Sequence, residues 1–154
     1  MASSKPLEAK RKYFSLEEAN RTLPLVKAIV GDIVRQFQAV SELKGRLSAV
    51  LRDRKRNASD PYSEELAQSQ AEMELQEEKL ASYINELTKL GVELKGPDGL
   101  CDFPSIMDDR EVCLCWRLGE PQIMHWHELD AGFAGRQPLT ALTGPGSRAG
   151  QRLL

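Results

Sequence analysis

The spacing of apolar residues changes period once in this chain, at Gly91, and that change limits what it can fold into. Before it, Val26, Val30, Ile33, Phe37, Val40, Leu43, Leu47 and Val50 recur at steps of three and four, which sets them along one face of a helix. Leu66, Met73, Leu80 and Leu87 then recur every seven residues, with Ile84 between the last two, as in a coiled-coil seam. After Gly91 the period is two, the spacing of a strand. Helices and strands in separate blocks predict an α+β fold: a long antiparallel helical hairpin, coiled-coil-like, followed by a small antiparallel β-sheet.

Local signals place the helix ends. Ser15-Leu16-Glu17-Glu18 matches the capping box, with Phe14 and Ala19 as a weak staple. Pro24 is most comfortable in a first helical turn, so a short helix to about Arg21 is expected, then a second one capped by Thr22. That second helix should reach about Arg56, roughly 48 Å at 1.5 Å per residue. Asn57-Ala58-Ser59-Asp60-Pro61 supplies the turn, and Gly91 ends a return helix of similar length.

Charge supports the pairing. From Pro24 to Arg56 there are eight basic and three acidic residues, and from Tyr62 to Leu90 two and seven, so the helices carry +5 and −5. The basic half therefore has a partner inside its own chain, although a single exposed pair is worth only about 0–1 kcal/mol. Gln70 and Glu77 interrupt the apolar seam and predict a thin, partly wet middle. Phe37 and Leu75 are the candidates for contact with a second copy, and a homodimer is expected.

Residues 1–12 are polar and unpatterned and read as a flexible arm, while 140–154, with Gly144-Pro145-Gly146-Ser147, read as a disordered tail. Between them, 13–139 form a single domain: hairpin 13–91, then sheet and signature loop 92–139. No apolar run approaches the 18 residues of a membrane span, and Met1-Ala2-Ser3-Ser4-Lys5-Pro6 lacks the apolar stretch of a secretory signal. Cys101, Cys113 and Cys115, an odd number, fit reduced thiols without a disulfide, and a cytoplasmic location is expected.

In the second block, Val92 to Lys95, Gly96-Pro97-Asp98-Gly99 and Leu100 to Phe103 read as a β-hairpin, followed by a loop through Pro104 and Asp108-Asp109. Strands Glu111 to Arg117 and Gln122 to Glu128 then flank Leu118-Gly119-Glu120-Pro121. If Gly119-Glu120 is a two-residue turn, Trp116 lies opposite Ile123, Leu114 opposite His125 and Val112 opposite His127. Cys115 with Met124, Cys113 with Trp126 and Arg117 with Gln122 would occupy the other face. Three cysteines and two histidines within 27 residues raise zinc, but this register parts thiols from imidazoles and predicts no metal site among them.

The densest chemistry lies in Trp126-His127-Glu128-Leu129-Asp130-Ala131-Gly132-Phe133-Ala134-Gly135-Arg136-Gln137-Pro138-Leu139. Arg117, Trp126, His127, Glu128, Asp130 and Arg136 are the candidate binding residues. As a structured turn, Asp130 caps or bends the backbone, Gly132 and Gly135 permit positive φ, and Arg136 pairs with Glu128 or Asp130. As a reactive site, His127 with Glu128 or Asp130 is an acid/base couple with Arg136 as anion clamp, but it has no nucleophile, because Cys115 is expected to face away. His125-x-His127 with Glu128 or Asp130 offers a divalent-metal set. Arg52-Asp53-Arg54-Lys55-Arg56 at the hairpin tip suits phosphates, or simply the negative end of a helix dipole.

Tyr13-Phe14-Ser15-Leu16-Glu17-Glu18-Ala19-Asn20 with Leu23-Pro24, Leu114-Cys115-Trp116-Arg117-Leu118-Gly119-Glu120-Pro121, and the Trp126 to Leu139 stretch together resemble an uncharacterised bacterial domain-of-unknown-function family, over about residues 13–139. The resemblance implies a small cytoplasmic protein and brings no activity, cofactor or catalytic residue with it. The leading expectation is a non-enzymatic cytoplasmic interaction or assembly protein that uses the Trp126–Leu139 loop as a recognition surface. It has a protein partner, no cofactor, no metal, no catalytic residue and no membrane contact. The alternatives are a small enzyme or ligand- or divalent-metal-binding protein with a His127/Glu128/Asp130/Arg136 site, and an RNA-, ribosome- or polymerase-associated factor acting through the tip.

Overall fold

A computed structural model describes residues 12–56 and 63–140. Two helices are followed by a five-stranded antiparallel sheet, the α+β order that the change of period dictates. Helix α1 spans Leu16–Arg56 and α2 Ser63–Lys89; the strands are β1 Glu93–Leu94, β2 Leu100–Met107, β3 Arg110–Arg117, β4 His125–Glu128 and β5 Gln137–Pro138. A 3-10 turn, Phe133–Gly135, lies between β4 and β5. The expected arm, the turn at Asn57 to Pro61 and the expected tail beyond Thr140 fall outside the described residues, Lys12 apart.

The helix start differs from expectation. Instead of a short helix broken before Pro24, α1 is one helix of 41 residues with Pro24 inside it. Ser15 is its cap, accepting the Glu18 amide at 3.0 Å, whereas the Thr22 hydroxyl donates back to the Glu18 carbonyl at 2.9 Å and caps nothing. Pro24 is exposed, while Leu23, Val26, Val30 and Ile33 form a buried stripe running past it. A mid-helix proline costs about 3 kcal/mol, and burying each aliphatic side chain returns about 1.5–3 kcal/mol, so the stripe outweighs the break. Glu18 also accepts Lys12 Nζ at 2.7 Å. That bond, helped by the Ser15 amide, holds its carboxyl below the ordinary value.

Helix α2 ends as Gly91 predicts. Gly91, at φ 94°, donates to the Thr88 carbonyl and Val92 to the Leu87 carbonyl, the paired bonds of a Schellman cap, with Leu87 and Val92 both buried. Of the sevenfold seam, Leu66, Met73 and Leu87 are buried and Leu80 half-buried. The middle of the hairpin is polar through other residues than Gln70 and Glu77 alone. Buried Gln36 donates to the Gln76 carbonyl at 2.9 Å and to Gln76 Oε1 at 2.7 Å, and Lys44 reaches Glu77 at 3.8 Å. Phe37 packs at the margin of the core, and Leu75 is exposed.

The sheet is a meander, β1 to β5 in chain order. Pro104 lies within β2 rather than in a loop. Its carbonyl accepts the Phe14 amide at 2.7 Å, and Ser105 Oγ donates to the Phe14 carbonyl at 2.5 Å. Within an antiparallel strand a residue's N and C=O point to the same side, so Pro104 spends its missing N–H on the edge away from β3 and breaks no ladder bond. Asp108 and Asp109, both at positive φ, make the two-residue β2–β3 turn.

The register of β3 with β4 is one residue off the expected one. Cys113 faces His127, Leu114 faces Trp126 and Cys115 faces His125. The link is not a two-residue turn: β3 ends at Arg117 and β4 begins only at His125. Glu120 folds back on Arg117, and Asn20 of α1 takes the Ile123 amide on its Oδ1 at 2.8 Å, which draws Ile123 out of the ladder. Because the side-chain period is two, this single step moves both histidines to the other face. Cys101, Phe103, Met107, Val112, Leu114, Trp116 and Trp126 face the helices and join Val26, Val30, Ile33 and Leu87 in one core. Asp102, Pro104, Cys113, Cys115, Arg117, His125 and His127 share the outer face.

Candidate functional site

An outer sheet face normally meets water, yet here Asp102, Cys113, Cys115 and His127 are all buried. The stretch after β4 folds over the Cys115–Arg117 end of this face. The Ala131 amide returns to the Glu128 carbonyl to reverse the chain, the 3-10 turn crosses the face, and β5 pairs back on β4 with His125 opposite Pro138 and Trp126 opposite Gln137. Gly132 has φ 66° and ψ −166°, a conformation nearly reserved for glycine. Gly135 is needed for a different reason than positive φ: a Cβ there would sit 2.5 Å from Ala131 Cβ.

Arg136 pins the cover. Its guanidinium donates to Glu120 Oε1 at 2.6 Å and to the Cys115 carbonyl at 3.3 Å, and not to Glu128 or Asp130 as the turn reading expects. Glu120 Oε1 also accepts the Arg117 amide at 2.9 Å. Burial works against ionisation of Glu120 and is the largest single influence, but the Arg136 hydrogen bond, the Arg117 amide and the Arg136 charge together bring its carboxyl below the ordinary value. The Glu120 bond in turn raises Arg136. Arg117 and Arg136 both stack on Phe133, at 4.3 and 4.7 Å from the ring centroid, and Arg117 Nε lies 3.2 Å from Asp98 Oδ2. Glu128 pairs instead with Arg110, which also lies over Trp126.

Beneath the cover, His127 Nε2 is 3.0 Å from Asp102 Oδ1 and His127 Nδ1 is 2.6 Å from the Glu128 carbonyl oxygen. Asp102, Cys115 and His127 present one ligand-type atom each within 4.8 Å of one another. None of the three cysteines is in a disulfide. Desolvation pushes Cys101 up to about 12 and also raises Cys115, against the partial relief that Arg136 gives the latter.

The six candidate residues thus divide by depth. Trp126 is in the core facing the helices, and His127 is buried in the outer-face cluster. Arg136 is mostly covered, at 14% side-chain exposure. Arg117 and Glu128 are half-exposed and Asp130 is exposed, flanked by exposed Leu129 and Phe133. His127 is brought to Asp102 rather than to Glu128 or Asp130. Sequence reasoning missed Asp102 and Glu120. A carboxylate between Cys101 and Phe103 on a strand is the signal for the first, but it becomes readable only once the β2–β3–β4 register is known.

A family model described as "Uncharacterized conserved protein (DUF2203)" matches residues 12–139, in agreement with the resemblance carried by the motifs. No curated protein and no solved structure matches the chain.

Proposed function

We propose that this chain, which belongs to the DUF2203 family, is a non-enzymatic interaction or assembly protein whose recognition surface is the outside of the 128–136 loop. The observation that carries this reading is a short irregular segment fixed from below and apolar on top. Arg136, Glu120 and the Gly135–Ala131 contact hold it, while Leu129 stays 55% and Phe133 38% exposed. A surface already in its bound shape loses little entropy on docking, and exposed Leu and Phe beside charges are the ingredients of an interface centre with a polar rim. Arg117, Glu128 and Asp130 supply that rim, and Trp126, His127 and Arg136 support it from within.

The expected partner is another protein, in a cytoplasmic setting that suits three cysteines without a disulfide. Among the described residues no helix is long and apolar enough to cross a membrane. A second copy of the chain remains the proposed occupant of exposed Leu75 on α2.

The test is affinity capture of the full chain from its host with Leu129→Arg plus Asp130→Arg. A partner retained by the wild type and lost from this variant at unchanged melting temperature is the expected result. Identical partner sets would remove the loop from recognition.

A further inference from the structure

The buried cluster under the loop has a feature that the recognition reading does not use. His127 Nδ1 faces a backbone carbonyl at 2.6 Å, and a carbonyl only accepts, so Nδ1 carries the hydrogen. That leaves Nε2 facing Asp102 Oδ1 at 3.0 Å. A bare ring nitrogen and a carboxylate oxygen are both lone-pair donors, and at that separation inside a protein they repel unless a positive centre lies between them. A proton would serve those two atoms. It would leave unused the Cys115 sulfur, which meets the Arg136 guanidinium and lies within the same 4.8 Å cluster, and it would not account for His125, directly across from Cys115 on β4, whose Nδ1 is buried without a hydrogen-bond partner among the described residues.

We propose that Asp102, Cys115 and His127 bind a borderline divalent ion of the zinc class, with His125 as the fourth donor. Tetrahedral ligands at Zn–N and Zn–O near 2.1 Å and Zn–S near 2.3 Å stand roughly 3.3–3.6 Å apart. The three grouped atoms, all within 4.8 Å of one another, reach this by closing the widest gap by about 1.2–1.5 Å at most and opening the His127–Asp102 gap slightly, and His125, which stands outside that group, has to turn in to complete the set. The Nδ1–H to carbonyl bond on His127 is the outer-shell contact that orients a metal-bound imidazole through Nε2. One thiolate and two imidazoles disfavour magnesium and calcium, which want oxygen alone. Binding replaces the Cys115 S–H bond with a metal–sulfur bond and releases that proton to solvent. The four residues lie on β2, β3 and β4, so the ion clasps three neighbouring strands beneath the loop and leaves the surface above it unchanged.

The experiment uses the full chain, stripped with chelator and titrated with Co²⁺ and then Zn²⁺. The expected result is one Co²⁺ per chain, with a thiolate-to-cobalt charge-transfer band and tetrahedral visible bands that one equivalent of Zn²⁺ bleaches. Cys115→Ser should abolish the charge-transfer band, Asp102→Asn should weaken uptake, and His125→Ala should weaken it by about tenfold or more, at least the scale of losing an outer-shell partner. Cys113→Ser, on the same face but outside the cluster, should leave the band intact. Zn²⁺ should raise the melting temperature of the wild type and not of Cys115→Ser. Absence of a stoichiometric cobalt band in the wild type overturns the site whatever the variants do, and so does a band that persists in Cys115→Ser. Unchanged affinity in His125→Ala removes His125 from it.

Discussion

At the scale of single residues, the polar chemistry of this chain is spent on fastening a loop. Glu120 illustrates the linkage. Its folded-state carboxyl titrates below the ordinary value, so the stability it brings is fully present above the unfolded value of about 4.3 and is lost as pH falls through the lower folded one. Glu120→Gln should therefore cost roughly 0.5–1.5 kcal/mol at neutral pH, a solvent-discounted figure for a charge-assisted bond. The cost should vanish in acid, where the wild-type carboxyl is itself neutral. Urea midpoints taken from pH 7 downward check this: the two proteins must differ at pH 7, and the gap must narrow as pH falls through the lowered folded value. A constant gap would mean that the Arg136 pair is not what Glu120 contributes.

Among the elements, α1 carries the largest departure from a local rule. Pro24 takes one donor out of a helix interior, and the carbonyl it leaves without an intrahelical partner is that of Asn20, whose side chain holds Ile123. Because Pro24 is exposed, alanine there adds a helical hydrogen bond without disturbing the core. Pro24→Ala should stabilise the protein by about 1–3 kcal/mol, read as a higher urea midpoint at unchanged slope. No gain would show that the helix has already relaxed around the ring. Strand β2 gives the complementary case, since its proline sits where the edge is taken by Phe14 and costs the sheet nothing.

Over the whole molecule, stability is uneven along the hairpin. The shared core stops at Phe37 on α1 and Leu80 on α2; beyond them the helices bury chiefly Val40, Leu66 and Met73 between themselves. The remaining stretch of α1, residues 38–56, extends about 28 Å. Fewer buried contacts mean a lower free energy of local opening. Hydrogen exchange should therefore show protection at Val26 to Ile33 close to the global value and at least about tenfold less at the amides from Leu43 onward. Uniform protection to Arg52 in dilute protein would argue that a second copy already covers the arm, which sedimentation at two concentrations would confirm or refute.

The sequence by itself determined the class, the order of the blocks, the Ser15 and Gly91 helix ends, the pairing of the two rods and the stretch where unusual residues crowd. Each of those rests on periodicity, capping or charge within one segment, which act over a few residues. Tertiary structure decided the uninterrupted α1, the strand through Pro104 and the face on which the histidines lie. The first follows from burial of the Leu23 to Ile33 stripe in the shared core, and the other two from contacts distant in sequence, Phe14 with Pro104 and Asn20 with Ile123. A one-residue step in register, which only such a contact can choose, turns thiols and imidazoles from opposite faces to a common one, and with it joins Asp102, Cys115 and His127 in a single cluster.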